Sequence, residues 1–249
     1  MRALALLMIL VLVCGCMSQT DTQKIGTKNT GDQTVKKAAP ATTVAKATTK
    51  AAPKKGATKK AADPMAQIAK LNKEKRYKAA LKSVNTLVKN KPKDSMVWAV
   101  KAETHLNLDQ YQAAAGAARN ALQINPKNAL AYVSLARANS GQDKDLVALN
   151  NLEKALDIDA NFLYAQKTKV RILIKTGKYK AAVSTCNDIL NANPKDVNAL
   201  MLKATALSEQ GAHRMAINNV NKVLDINKDH KAAKALKRKS RNALAQASA

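Results

Sequence analysis

Residues 95–128 read SMVWAVKAETHLNLDQYQAAAGAARNALQINPKN. Two alanine- and leucine-rich stretches of helical length flank the polar Asp109-Gln110, and Pro126 closes the unit. Outward from here the same landmarks return: Pro92, Pro126 and Pro194 fall 34 and 68 residues apart, and Tyr77, Tyr111 and Tyr179 keep the same intervals. A fixed period of this length marks a stack of identical units, each too small to bury its apolar face alone. The chain has one Trp and one Phe. It lacks β-branched runs bounded by turn residues, so strands have no support and an all-α fold is predicted.

The order aromatic, small, aromatic, Ala, Ala, Pro at Trp98, Ala102, Tyr111, Ala114, Ala121 and Pro126 resembles the tetratricopeptide repeat (TPR) family. The resemblance implies a right-handed α-solenoid of five TPR helix pairs at 61–94, 95–128, 129–162, 163–196 and 197–230. Each unit would run helix A, a turn at Lys75, Asp109, Asp143, Gly177 or Gly211, helix B and a short linker. Ala80, Ala114, Ala148, Ala182 and Ala216 recur at one position of helix B, where two helices must approach closely and a larger side chain would hold them apart. Repeat three departs from the pattern with Asp145 in the tyrosine place and Ala160 in the proline place; repeat five has Lys228 there, and repeat one opens on Asp63-Pro64, poor residues for a helix interior. Residues 231–249 place Ala232, Leu236, Ser240, Ala243, Leu244 and Ala247 on one face, as a helix capping the array would.

The N-terminus is of another kind. Arg2 precedes an apolar run from Ala3 to Val13, too short for the roughly 20 residues that span a bilayer. A charged start, a short apolar core and a small residue at the junction read as a secretory signal. Val13-Cys14-Gly15-Cys16 resembles the bacterial lipobox, which implies removal of residues 1–15 as a lipoprotein signal peptide and lipidation of Cys16. Cys14 would need bulky Val13 before the cleavage point and fits poorly. More than one acyl chain anchors stably, at about 0.8 kcal/mol per buried methylene. The location expected is a bacterial cell envelope, on the outer membrane facing the periplasm where the host has two membranes.

Residues 16–60 form the predicted lipid-anchored, basic, disordered linker. Ser18 to Lys60 carries ten Lys against two Asp and almost nothing large and apolar, too little to offset chain entropy. As a coil its ends would lie about 35 to 40 Å apart. Two readings stand: a solvated spacer, or lysines touching anionic polymer or lipid headgroups. The formal charge of +26 favours anionic partners without choosing among nucleic acid, lipid and acidic protein. Lys231 onward adds six basic residues and no acid.

For function, the family resemblance implies a concave groove lined by A helices that takes an extended peptide or a partner helix. Its partner-binding residues here would be Val133, Arg137, Tyr164, Lys167, Arg171, Lys175 and Met201. Arg137, Lys167 and Arg171 would either gather into an anion pocket beside the apolar Val133, Tyr164 and Met201, or form an ordinary solvated face. The two-carboxylate clamp of chaperone-binding relatives is not reproduced. No Gly-rich phosphate loop, metal-binding His pair or nucleophile turn occurs, so no cofactor, metal or small-molecule substrate is expected and the chain reads as a non-enzyme. His105 and His213 sit at repeat positions expected to pack, and Cys186 reads as a small core residue. The expectation is an envelope-anchored scaffold for assembling a complex such as a pilus or secretin, or for organising cell-wall enzymes. The alternative is a binder of anionic polymer, or of nucleic acid in a cytoplasmic protein, through linker and tail.

Overall fold

A computed structural model describes residues 63–247. The expected signal peptide (1–15), Cys16 and the linker (16–60) lie outside the described residues, as do 61–62 and 248–249. The described residues hold eleven α-helices and no strand: α1 Pro64–Lys73, α2 Tyr77–Asn90, α3 Ser95–Leu106, α4 Tyr111–Ile124, α5 Ala129–Ser140, α6 Asp145–Ile158, α7 Leu163–Lys175, α8 Tyr179–Ala192, α9 Val197–Glu209, α10 His213–Ile226 and α11 Lys231–Ala247. The odd-numbered helices α1 to α9 are A helices, the even-numbered ones are B helices, and α11 ends the stack as a cap. The array is an α-solenoid of five pairs, as the periodicity predicts. Each B helix has 14 residues, and their starts stand 34 residues apart.

The turn between A and B is the same device five times. Lys75 (φ 58°), Asp109 (55°), Asp143 (58°), Gly177 (71°) and Gly211 (85°) all adopt the left-handed conformation. Each sits in a Schellman-type closure: the next residue's N–H reaches back to a carbonyl in the last turn of helix A, as in Gln110 N to His105 O (3.0 Å) and Lys178 N to Leu173 O (2.8 Å). Only Gly takes that φ without steric cost, so three of the five turns carry some strain.

Four of the five A helices, all but α7, start on side-chain caps. The carboxylate of Asp94 accepts from Met96 N at 2.9 Å, Asn128 accepts from Ala131 N at 3.0 Å, and Asp196 accepts from Ala199 N at 2.9 Å. Repeat one repairs its weak opening by starting late. Asp63 caps Met65 N (3.0 Å) and Pro64 takes the first helical position, where its missing N–H is no loss, leaving α1 with 10 residues against 12 in α3.

Ala80, Ala114, Ala148, Ala182 and Ala216 are each 0% exposed, which fits their role at close helix crossings. From α3 onward successive A helices touch one another, whereas no two B helices pack together to a comparable extent, so the array bends with A helices inside and B helices outside. The largest buried cluster joins Val133, Leu152, Val170, Leu173, Cys186 and Ile189 across repeats three to five. The cap α11 lays Ala233, Leu236 and Ser240 on α9 and α10, with Ser240 Oγ 3.2 Å from Ser208 Oγ.

Candidate partner-binding groove

The inner face is built from one row of positions per A helix. Glu103 on α3 and Arg137 on α5 occupy the same place in successive repeats and meet across them: Arg137 Nη1 lies 2.6 Å from Glu103 Oε2. The same guanidinium donates to the Tyr164 hydroxyl on α7 at 2.5 Å, and that hydroxyl donates to Glu103 Oε2 at 2.9 Å. Ser134 Oγ adds a bond of 2.7 Å to Glu103 Oε1. One closed network therefore joins three successive A helices. Burial and the Glu103 carboxylate both push the Tyr164 hydroxyl well above the usual phenol range, so it stays a proton donor. Burial works against the charge on Arg137, but the Glu103 carboxylate and the Tyr164 oxygen together outweigh it and raise the pKa.

The neighbouring cation is also held. Lys167 Nζ lies 2.7 Å from Asp196 Oδ2, the residue that caps α9. Burial alone would raise the Asp196 carboxyl; the bonds from Lys167 and the Ala199 N–H outweigh it and hold the group below its ordinary value.

The seven residues expected in the groove separate on this basis. Val133 is a correction: it is 0% exposed inside the largest buried cluster and offers no surface to a partner, its short side chain being wholly covered where the longer Lys167 and Met201 at the same repeat position are only partly buried. Arg137, Tyr164 and Lys167 do lie together on the inner face, yet the two cations hold carboxylates of the chain itself. Arg171 is exposed and has no ion-pair or hydrogen-bond partner among the described residues. Met201 is half-buried against Leu200 and Val220. Lys175 sits apart, at the A–B turn edge, donating to Ser140 O (2.7 Å), Asp143 Oδ1 (2.9 Å) and Asp145 Oδ1 (3.2 Å). Glu103 falls on the concave face by its repeat position, but that it and Asp196 neutralise the cations there emerges only when side chains are placed. A signal existed, since opposite charges at one repeat position, Glu103 and Arg137, stand one repeat apart.

At one edge of the array, near the starts of α3 and α5, Met96, Ile124, Leu130 and Phe162 line an open cavity of about 700 Å³, with Asp94 and Asp159 at its border. Cys186 is buried, and burial pushes its thiol up to about 12. His105 Nδ1 lies 2.7 Å from Gln110 Oε1, while His213 Nδ1 is buried with no hydrogen-bond partner among the described residues. No group of three His, Cys, Asp or Glu side chains among the described residues is placed to hold a metal, and no described helix is long and apolar enough to cross a membrane.

Residues 147–206 match the family model "Tetratricopeptide repeat". Among solved structures the chain is similar to a thermophilic TPR protein of Thermus thermophilus, with TM-score 0.62 and 18% identity over 73% of this chain and 97% of that one. It is similar to PilW, a widely conserved type IV pilus biogenesis factor, with TM-score 0.61 and 20% identity over 74% of this chain and 90% of the other. A third is YrrB, a TPR protein with an unusual peptide-binding site, with TM-score 0.52 and 16% identity over 70% and 90% of the respective chains. No curated protein matches by sequence. The described residues have the fold of a tetratricopeptide-repeat array.

Proposed function

We propose that this chain is a non-catalytic scaffold, held to a bacterial envelope through a lipidated Cys16, that captures a protein partner on its A-helix face and helps assemble an envelope complex such as a pilus or secretin, or organises cell-wall enzymes. The observation that carries the binding half is the inner face itself. The Glu103, Arg137 and Tyr164 network fixes three A helices in register and leaves Arg171 as an unneutralised cation beside them. A face already rigid loses little entropy when a partner is ordered on it. The likeness to PilW and to YrrB supports the assembly and peptide-capture readings. The anchor rests on Met1 to Cys16, where a short apolar run ends at Val13-Cys14-Gly15-Cys16. Where the host has two membranes, Met17 and Ser18, which lack an aspartate retention signal of the enterobacterial type, favour the outer one.

Two measurements in the native host test it. Intact mass and membrane partitioning are compared for wild type and Cys16→Ser; unmodified wild-type chain in the cytosol would end the envelope reading. A photo-crosslinking residue is then placed at Arg171 on α7 or at exposed Asn187 on α8. A defined adduct from the Arg171 site alone supports groove capture, and equal adducts from both sites refute it.

One observation favours a second activity, contact with anionic polymer. Lys231, Lys237, Arg238 and Arg241 on α11 have no acidic partner among the described residues, whereas Lys234 and Lys239 pair with Asp229 and Glu209. Replacing the four with Gln should lower the salt needed to elute the chain from a polyphosphate resin. Unchanged elution removes the tail from the account.

A further inference from the structure

Three departures from the repeat converge on a single joint, between the third and fourth repeats. The first concerns how the A–B turn edge is sealed. In repeat two the Tyr111 ring lies so close over Gly141 that a Cβ there would overlap three of its atoms, and the ring packs on buried Leu106, Ala114 and Ala115. One repeat further on, Asp145 stands in the tyrosine place and Lys175 in the glycine place. A ring on a glycine has become an ion pair.

That ion pair belongs to a small polar cluster. Lys175 Nζ is held by Ser140 O at 2.7 Å, Asp143 Oδ1 at 2.9 Å and Asp145 Oδ1 at 3.2 Å, and Ser140 Oγ donates to Asp145 at 2.6 Å. The Lys175 side chain is 42% exposed, that of Asp143 89% and that of Asp145 17%. The cation itself is open to solvent, so its pairs are screened by salt, unlike a packed aromatic ring.

The second departure lies in the linker, where the proline of Pro92, Pro126 and Pro194 becomes Ala160. In the third, Phe162 replaces the capping Asp94, Asn128 and Asp196, and α7 starts with no side-chain cap.

We infer that the joint between α6 and α7 is a hinge, closed at the turn edge by an ionic latch of Lys175 on Asp143 and Asp145. On the opposite, inner side Tyr164 ties α7 to Glu103 and Arg137, so that side acts as the pivot. Opening the latch frees the turn edge of this joint, so that repeats four and five tilt about the continuous apolar core of Leu152, Ala155, Ala165 and Val170 and the curvature of the A-helix face changes. The hinge stands independently of what that face binds.

Hydrogen exchange read by mass spectrometry on the full chain tests it. The amides of α6, residues 159–162 and α7 should exchange several-fold faster than those of α4 and α5. The gap should widen in about 1 M salt, where the Debye length falls to about 3 Å. Asp145→Asn should bring the low-salt exchange of this joint to its high-salt level. Asp145→Tyr with Lys175→Gly restores the ring on its glycine and should slow exchange there and abolish its salt dependence. Equal exchange at all joints, or a salt response that Asp145→Asn leaves intact, overturns the hinge. If the double variant fails to fold, the wild-type salt series and Asp145→Asn still decide.

Discussion

Arg137 and Glu103 meet at 2.6 Å although 34 residues separate them, because each occupies the same position of its repeat and successive A helices stack. A half-buried guanidinium with its carboxylate removed keeps its desolvation cost and loses its compensation. Glu103→Gln should therefore destabilise the array by about 1.5–3 kcal/mol, the range for hydrogen bonds to charged groups. Tyr164→Phe, which deletes one hydroxyl, should cost about 1 kcal/mol. In a double-mutant cycle read by urea unfolding, the pair should show non-additivity of at least about 0.5 kcal/mol. Strict additivity would mean that the three helices are not coupled through this network.

Gly141 is needed for space rather than for backbone freedom, since its φ of −66° is open to any residue. A methyl group there meets three ring atoms of Tyr111 well inside van der Waals contact. Gly141→Ala should cost about 1–3 kcal/mol through overpacking, and Tyr111→Leu in the same chain should recover part of it. Thermal unfolding of the single and double variants checks this; a neutral Gly141→Ala would show that the ring moves freely.

How far the sequence alone carried the structure depends on the kind of residue. Backbone positions were legible: the turn residues Lys75 to Gly211 and the close-contact alanines Ala80 to Ala216 recur at fixed spacing, and spacing alone decides a solenoid's geometry. Side-chain partners were less so. Arg137 and Lys167 looked like free cations because their acids, Glu103 and Asp196, lie 34 and 29 residues away and meet them only after repeats stack. Val133 looked like a groove residue because it shares a helix face with Arg137, but its short side chain ends within the packing of α5 and is wholly covered, where the longer Lys167 at the same repeat position reaches the surface. Asp145 was visible as an exception to the tyrosine pattern. That Lys175 compensates for it was not, since that requires knowing that Tyr111 rests on Gly141.

The left-handed turns give a prediction in the opposite direction, toward higher stability. Lys75 at φ 58° bears the Cβ strain that Gly177 avoids. Lys75→Gly relieves about 1–2 kcal/mol of folded-state strain against a cost of about 0.4–1 kcal/mol in unfolded-chain entropy, so a net gain of up to about 1.6 kcal/mol is expected. A Cβ on Gly177 would meet nothing within 4 Å, so Gly177→Ala isolates the backbone term and should destabilise by about 1 kcal/mol. Chemical denaturation of both variants, with opposite signs of the change, is the check.

Acid should act on the array through Asp196. Its carboxyl is held below the ordinary 3.8 because, against the effect of burial, the Lys167 ammonium and the Ala199 N–H favour the charged form. A group depressed in the folded state contributes its stability in full above its unfolded value and loses it as pH falls through the folded one. The urea midpoint should therefore be flat near neutrality and decline below about pH 4. Asp196→Asn separates the two bonds, because Asn caps a helix as well as Asp does but cannot pair with Lys167. That variant should be less stable than wild type at neutral pH, having left a nearly buried ammonium without its counter-charge, and the difference should shrink as the wild-type carboxylate is protonated. Equal stability of the two chains at neutral pH would mean that the Lys167 pair contributes nothing and that the cap alone holds α9 in place.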